Sequence, residues 1–163
     1  MNVKRLFQLS NPVHLLALGF GSGLAPVAPG TAGTLAALPL FVALLWLPAT
    51  VYAVITGIAV IAGVWICGRF AADVGVHDHP AIVWDEIAGF LIAAMPLTLG
   101  VGLVAPVVDV AILVVLFRLF DALKPWPISW IDNNLAGGLG IMADDALAGV
   151  ATAVVFVVMV RFC

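Results

Sequence analysis

Residues 50–68 read TVYAVITGIAVIAGVWICG, an apolar run that contains no charged side chain. A helix crosses the hydrocarbon core of a bilayer with about 20 such residues, so this stretch predicts a membrane span. The whole chain agrees with it: of 163 residues, 64% are hydrophobic and 9% are charged, with a mean hydropathy of +1.25. Soluble domains carry charge at about a quarter of their positions, so the composition indicates a membrane protein. A net charge of −3 without a basic cluster argues against a nucleic-acid partner.

Further apolar stretches predict spans before and after this run, at 31–47, 83–104, 107–123 and 143–160. Numbered along the chain, the span at 31–47 is the first and the run at 50–68 is the second. Pro48 ends the first span, and Pro96 predicts a kink in the third, 83–104. Residues 10–20 predict a short helix that lies in the membrane interface or packs on the bundle. We therefore predict a single membrane-embedded domain over residues 1–163. Its fold would be all-α, a polytopic membrane bundle of about four to five hydrophobic helices with a short N-terminal interfacial helix.

The basic residues predict the orientation, because they accumulate in short cytoplasmic loops. Lys4 and Arg5 precede the first span, Arg69 follows the second, and Lys124 follows the fourth. On the opposite side, only Arg161 is basic. The N-terminus is therefore predicted to be cytoplasmic and the C-terminus external.

The acidic residues gather on the predicted cytoplasmic face: eight of the nine fall there, and only Asp109 lies near the other face. Five of them come from three helices at the same depth: Asp85, Glu86, Asp121, Asp144 and Asp145. Helix dipoles favour acids at N-termini by about 0.3–1 kcal/mol each, which accounts for one acid per helix start. This dipole effect does not account for Asp121 at a helix C-terminus. It also does not account for the second acid in each adjacent pair, Asp85–Glu86 and Asp144–Asp145. Carboxylates set against hydrocarbon are costly and usually functional, so we favour a metal site over helix capping.

The residue types in this cluster indicate which metal it would hold. Oxygen-only ligands suit Mg²⁺ or Mn²⁺, and Mg²⁺ commonly bridges carboxylates to a substrate phosphate. His77, Asp78 and His79 precede the first acidic pair. The two histidines leave a zinc site as an alternative. These three residues could equally donate hydrogen bonds to a phosphate or be solvated residues of a loop.

A possible anion site precedes the first span in SGLAPVAPGTAGT, residues 22–34. Glycines allow the backbone to approach an anion, and free N–H groups at a helix start point at the ligand. The segment lacks the Lys of a nucleotide P-loop, and by itself it is compatible with a plain turn. Beside a carboxylate cluster it predicts phosphate contacts from Ser22, Gly30, Thr31 and Thr34.

Two basic residues accompany Asp121 in FRLFDALKPWPISWID, residues 117–132. Arg118, Asp121 and Lys124 are spaced by three and share a broad helix face. Lys124 is compatible with an interfacial anchor, together with Trp126 and Trp130 at the headgroup level. Arg118 lies more than a turn deeper, where an unpaired guanidinium is costly, so Asp121 or an anionic substrate is its expected partner.

Three blocks occur in order along the chain: SGLAPVAPGTAGT, IVWDEIAGF (82–90), and FRLFDALKPWPISWID followed by GGLGIMADDALAG (137–149). In combination they resemble the phosphatidylglycerophosphatase A family of bacterial inner-membrane lipid phosphatases, over residues 10–150. The resemblance implies an all-helical fold and Mg²⁺-dependent removal of the terminal phosphate from phosphatidylglycerophosphate at the cytoplasmic leaflet. The partners would be this lipid and the bilayer, with no obligate protein partner.

With that resemblance, we favour metal-assisted attack by water. Cys67 lacks the phosphate loop of cysteine phosphatases, and the chain has no DxDxT or PSGH motif. Asp85, Glu86, Asp144 and Asp145 would hold Mg²⁺, and Asp121 would be a further ligand or the general base. Arg118, Lys124 and the glycine-rich segment would bind the phosphate. A covalent aspartyl-phosphate remains an open alternative.

Two alternatives come from other classes of membrane protein. A small ion- or proton-coupled transporter would distribute its acids across the membrane depth, whereas here only Asp109 departs from one face. A CDP-alcohol phosphotransferase would carry a DGxxAR motif with further aspartates on the same helix, and the sequence has no such run.

Overall fold

The computed structural model describes residues 7–76, 78–103 and 105–162, which form helices and no strand. Lys4, Arg5 and His77 lie outside these residues. The helices are α1 (Pro12–Ala17), a 3₁₀ helix (Gly19–Leu24), α2 (Pro29–Leu44), α3 (Ala49–Val74), α4 (Trp84–Ala93), α5 (Met95–Thr98), α6 (Pro106–Leu123), α7 (Ile128–Asn134) and α8 (Gly137–Phe162). The all-α prediction is therefore confirmed.

Two helices in the described residues, α3 and α8, are long enough and apolar enough to cross a membrane. Each has 26 residues, which corresponds to about 39 Å of helix. They suggest a membrane association by length and composition, and they are fewer than the five spans predicted.

The other three predicted spans differ for local reasons. The first is a shorter apolar helix, α2, with 16 residues. The stretch 83–104 divides into α4 and α5 at Ala94, because Pro96 has no N–H to continue the helical ladder. The fourth is α6, whose 18 residues include the charged Asp109, Arg118 and Asp121. Mean hydropathy predicts continuous spans in these stretches, whereas proline interrupts one helix and charged residues lie within another.

Helix α8 lies at the centre of the bundle, where it packs against α3, α4, α6 and α7. Glycines allow the closest approaches, because only a hydrogen atom separates the backbones there. A β-carbon on Gly149 would overlap the carbonyl oxygen of Gly89, and one on Gly138 would overlap that of Val64. The Gly89–Gly149 contact holds α4 directly against α8 and so brings the acidic start of α4 close to Asp145 of α8.

Aromatic rings fill the core below this contact. Phe90 of α4 meets Phe41 of α2 and Phe117 of α6 edge-on, with ring centroids 6.2 and 6.3 Å apart. Edge-to-face contacts of this kind stabilise beyond the area that they bury. The hydroxyl of Tyr52 in α3 donates a hydrogen bond to the carbonyl of Leu91 at 2.7 Å. The non-acidic half of α4 is therefore anchored to three other helices.

The N-terminal helix α1 packs on the bundle, one of the two placements predicted for it. Asn11 caps its start by accepting a hydrogen bond from the N–H of Val13 at 2.9 Å. His14 is buried against the ring of Phe70, and its Nε2 lies 3.3 Å from Asp73 of α3. A polar contact to α3 thus fixes this short helix.

Candidate active site

An acidic cavity of about 470 Å³ opens where α2, α4 and α8 begin and α6 ends. Its lining includes seven acidic residues: Asp78, Asp85, Glu86, Asp121, Asp132, Asp144 and Asp145. Arg118 and Lys124 are the basic residues that line it, so acids outnumber bases by five. Such an excess of negative charge in one concavity favours the binding of cations.

Three carboxylates converge within this cavity. Asp85 and Glu86 occupy the first turn of α4, and Asp145 lies about two turns into α8, which begins at Gly137. One oxygen from each lies within 4.8 Å of the other two. Asp85 is 8% exposed and Asp145 is 3% exposed, so the group is shielded from water. We call Asp85, Glu86 and Asp145 the carboxylate triad.

Unsatisfied oxygens indicate that a cation fits here. Oε2 of Glu86 and Oδ1 of Asp144 are buried and accept no hydrogen bond from the described residues. A buried carboxylate oxygen without a partner is costly unless a cation or a donor compensates it. Hard divalent ions such as Mg²⁺ and Mn²⁺ take such oxygen ligands. The donor set therefore fits the oxygen-ligated metal that the sequence predicts.

The two remaining predicted ligands line the same cavity but contact basic residues. Oδ2 of Asp121 lies 2.6 Å from Nη1 of Arg118, and Oδ2 of Asp144 accepts a hydrogen bond from Nζ of Lys124 at 2.6 Å. The structure thus brings all five predicted acids around one cavity, with three forming the triad and two forming ion pairs.

Arg118 connects the triad to Asp121. Its Nη1 lies 3.8 Å from Oε1 of Glu86 as well as 2.6 Å from Asp121, the partner expected from the sequence. The close contact with Asp121 lacks hydrogen-bond alignment, and Nη1 has no aligned acceptor among the described residues. The guanidinium therefore keeps unsatisfied donor capacity beside the triad, which suits an anionic ligand.

Lys124 ends α6 in a left-handed conformation, with φ of 42°, directly before Pro125. Its ammonium donates hydrogen bonds to Asp132 at 2.5 Å and to Asp144 at 2.6 Å. Partial burial alone would lower the pKa of Lys124, but these hydrogen bonds and the two negative charges outweigh it and raise that pKa above its ordinary value. Lys124 therefore stays charged and ties α7 to α8.

The predicted phosphate contacts divide into residues that line the cavity and residues that do not. Gly30 and Asp78 line the cavity. Ser22 donates its hydroxyl to the carbonyl of Gly19 at 2.8 Å, and Thr34 donates to that of Gly30 at 3.0 Å, so both hydroxyls satisfy the local backbone instead. Thr31 is half-buried and is not among the residues that line the cavity. His77 lies outside the described residues.

His79, the other candidate for zinc, has a local role. Its Nδ1 accepts a hydrogen bond from the N–H of Ala81 at 3.1 Å, and its ring meets Phe7 edge-on. It is not among the residues that line the cavity. The histidine alternative to an all-oxygen site therefore receives no support from His79.

The sequence prediction missed Asp132, which it placed on the correct face but left out of the site. Asp132 follows Lys124 by eight residues across the turn that contains Pro125 and Pro127. Only the fold of this turn shows that the two side chains meet. An acid soon after a helix-ending Lys was the available signal, and it is a weak one.

Comparisons with known proteins show to which family the chain belongs. The phosphatidylglycerophosphatase A family model matches residues 15–160. The chain is 47% identical to phosphatidylglycerophosphatase A of Escherichia coli (strain K12) over 153 residues, 92% of this chain and 84% of that protein. It is 44% identical to phosphatidylglycerophosphatase A of Haemophilus influenzae over 161 residues, 96% of this chain and 94% of that protein. No solved structure matches it.

The match includes every residue of the carboxylate triad together with Arg118 and Lys124. It also covers most of the helical bundle, from within α1 to near the end of α8. By this family match and these identities, the chain belongs to the phosphatidylglycerophosphatase A family.

Proposed function

We propose that this protein is a Mg²⁺-dependent phosphatidylglycerophosphatase. It hydrolyses phosphatidylglycerophosphate to phosphatidylglycerol and phosphate, the last step in making that lipid. The names of its relatives support the reaction. The observation that carries the proposal is the convergence of the carboxylate triad next to Arg118 in one cavity. Carboxylates that can hold a cation, next to a guanidinium with an unused N–H donor, can together neutralise the phosphate charge, which hydrolysis of a phosphate monoester requires.

Mg²⁺ would be held by Asp85, Glu86 and Asp145. Asp144 lines the same cavity, and its unpartnered Oδ1 would be a further ligand. The chemistry that such an ion supplies is neutralisation of phosphate charge and activation of the attacking water. Glu86 also faces Arg118, so the ion site and the guanidinium would meet the same phosphate group.

The residues of this chain then divide the work of hydrolysis. Arg118 binds two oxygens of the terminal phosphate through its planar fork and holds the phosphorus in line with the water. Asp121, which contacts Arg118, accepts the proton that the water loses as its oxygen bonds to phosphorus. The ester P–O bond breaks, and the glycerol oxygen takes a proton from solvent to become the hydroxyl of phosphatidylglycerol, while Asp121 returns its proton to solvent.

We place the protein in the bacterial inner membrane as a multi-pass protein with the cavity facing the cytoplasm. The lengths of α3 and α8 support the membrane placement, and α2, α4–α5 and α6 would complete the bundle as shorter hydrophobic segments. Arg69 and Lys124 lie towards the cavity end of their helices, and basic residues favour the cytoplasmic side. Arg161 lies at the far end of α8.

The arrangement of acids favours a hydrolase over the transporter alternative. Seven of the nine acids line this one cavity. Asp73 pairs with Arg69 and His14 outside it. Asp109, in the first turn of α6, accepts a hydrogen bond from the N–H of Leu103 at 3.1 Å. A chain of acids through the bundle, which ion transport would use, is not formed by the described residues.

The proposal is tested by phosphate release from purified full-length protein in detergent. With phosphatidylglycerophosphate as substrate, we expect release that requires Mg²⁺, stops with chelator, and returns when Mg²⁺ is restored. Asp85→Asn protein purified in parallel controls for contaminating phosphatases. Release that is equal in the parent and in this variant would contradict the proposed function.

A further inference from the structure

We propose that Lys124 and Asp132 form a second recognition subsite, which binds the phosphodiester and the glycerol hydroxyl of the substrate and selects lipids whose terminal phosphate lies beyond a phosphodiester. The inference rests on the proposed lipid phosphatase activity and names the part of the substrate that sets its specificity.

The cavity contains two separate cationic centres. Arg118 and Lys124 are six residues apart on α6, which places their backbones about 9 Å apart along the helix axis. Arg118 contacts Glu86 of α4 and Asp121 of α6, whereas Lys124 contacts Asp132 of α7 and Asp144 of α8. The two bases therefore serve different walls of the cavity, and each can bind its own anionic group.

Only one of these centres contacts the carboxylate triad itself, whereas Lys124 contacts Asp144, the further ligand. Glu86 belongs to the carboxylate triad and also faces Arg118. The reacting monoester therefore belongs beside Arg118. The carboxylates that Lys124 contacts, Asp132 and Asp144, lie outside the triad. Lys124 is thus available for a second anionic group of the same ligand.

The Lys124–Asp132 pair lies towards the opening of the cavity. The side chain of Asp132 is 35% exposed, compared with 25% for Arg118 and 13% for Glu86. Lys124, at 27%, is exposed to the same degree as Arg118, so the pair reaches the more open part of the cavity through Asp132. Trp126, in the turn before α7, is 81% exposed, and Trp130, within α7, is 55% exposed. Tryptophan commonly occupies the headgroup level of a membrane. A lipid substrate would enter past this pair before its terminal phosphate reaches Arg118.

The chemistry of the pair matches the substrate segment that would lie there. Going from the lipid inward, phosphatidylglycerophosphate has a phosphodiester anion, a glycerol linker with one free hydroxyl, and the terminal monoester. An ammonium binds the diester anion, and a carboxylate accepts a hydrogen bond from the hydroxyl. Lys124 can keep its contact with the more buried Asp144 during this exchange of partners, and its contact with Asp132, the more exposed of the two, costs less to give up.

Two lipids with the same acyl chains test the subsite. Phosphatidylglycerophosphate has both anionic groups, whereas phosphatidic acid has a monoester directly on the diacylglycerol and no phosphodiester. For Lys124→Met we expect kcat/KM for phosphatidylglycerophosphate to fall by about tenfold to a hundredfold, mainly through KM, the loss typical of a charged hydrogen bond. The loss with phosphatidic acid should be smaller, so the preference between the two lipids falls.

Lys124→Arg keeps the charge and should keep most of that preference. Arg69→Met is the matched control, because Arg69 is 60% exposed and pairs with Asp73 on α3, and it should leave the preference unchanged. An equal loss on both lipids for Lys124→Met would overturn the subsite, as would no loss on either. If the parent hydrolyses neither lipid, the proposed function itself fails.

Asp132→Asn tests the same subsite if Lys124→Met does not fold. An analogue of phosphatidylglycerophosphate with a propanediol linker lacks the free hydroxyl. The parent should prefer the natural linker over this analogue, and Asp132→Asn should reduce that preference. If the parent treats the two linkers alike, Asp132 does not bind the hydroxyl and the subsite as proposed is wrong.

Discussion

Gly30 lies directly against Arg118: a β-carbon built on this glycine would lie 3.0 Å from Nη1 of Arg118 and would overlap Oε1 of Glu86. Gly30 is the second residue of α2, after Pro29 and a left-handed Ala28. A helix start that is this close to a guanidinium and a carboxylate leaves room for a ligand only because the side chain is a hydrogen atom.

Gly30→Ala should therefore lower phosphatase activity by more than about tenfold, because the methyl group displaces Arg118 or Glu86. Alanine ordinarily stabilises a helix by about 1 kcal/mol relative to glycine, so the unfolding temperature gives a second measurement. Gly57→Ala in α3 is the control, since a β-carbon placed on Gly57 would meet no atom within 4 Å. It should match the parent in activity and equal or exceed it in Tm. Parental activity for Gly30→Ala would show that this close approach is not part of the site.

Asp85→Asn and Asp145→Asn should abolish activity while the protein remains folded and inserted. Each amide keeps the shape of the side chain but loses the charge that binds Mg²⁺. Without metal, Tm should stay level or rise, because crowded like charges repel one another. Added Mg²⁺ should raise the Tm of the parent and leave both variants unaffected, since only a bound ligand stabilises.

Asp73→Asn is the control for this pair, because Asp73 pairs with Arg69 and His14 outside the cavity. It should keep both the activity and the Mg²⁺-dependent rise in Tm. Near-normal turnover of Asp85→Asn or Asp145→Asn at saturating Mg²⁺ would exclude the altered residue as an essential ligand.

Arg118→Lys should fold normally yet lose activity, with the loss in kcat if the contact tightens as charge develops in the transition state. The planar guanidinium binds two phosphate oxygens at once, and an ammonium cannot reproduce that geometry. Phosphate release over a range of substrate concentrations, at constant Mg²⁺, separates kcat from KM. Lys124→Arg should have the milder effect, and Arg69→Lys on the exposed face of α3 should have none. If Arg118→Lys matches the parent, Arg118 is an anchor at the membrane surface.

Gly149→Ala should destabilise the bundle by about 1–3 kcal/mol, the usual cost of forcing a methyl group into a packed contact. Its β-carbon would overlap the carbonyl oxygen of Gly89 and lie 3.1 Å from Cβ of Ile92. Since α4 must then move away from α8, the distance between Glu86 and Asp145 should grow and more Mg²⁺ should be needed for activity. Thermal unfolding in detergent measures the first effect, and a Mg²⁺ titration of phosphate release measures the second. If the Tm of Gly149→Ala equals that of the parent, α4 and α8 accommodate the methyl group without loss of stability, and the prediction is wrong.

Much of the candidate site is visible in the sequence because its residues stand out locally. Adjacent acids such as Asp144 and Asp145 inside an apolar run are costly wherever the run is buried, so they indicate function before any contact is known. Asp132 lacks that signal, since a single acid in a polar loop is ordinary. Ser22 and Thr34 stood out in the sequence for their hydroxyls, which the structure shows bonded to their own backbone, as is common near a helix start.

The number of membrane spans was the weakest prediction from the sequence. Mean hydropathy averages over a window and does not register that Pro96 interrupts backbone hydrogen bonding, so one predicted span became α4 and α5. The same average counts α6 as apolar, although Arg118 and Asp121 face the cavity.

The sequence by itself determined the helical, apolar class of this protein, its family, and which acidic and basic residues would surround one site. These follow from composition and from short motifs, which need no knowledge of distance. Only the tertiary structure decided that Asp85, Glu86 and Asp145 converge within 4.8 Å of one another while Asp121 and Asp144 pair with Arg118 and Lys124. The reason is that carboxylate contacts act over a few ångströms, and the glycine contacts between α4 and α8 and the turn before α7 set those distances.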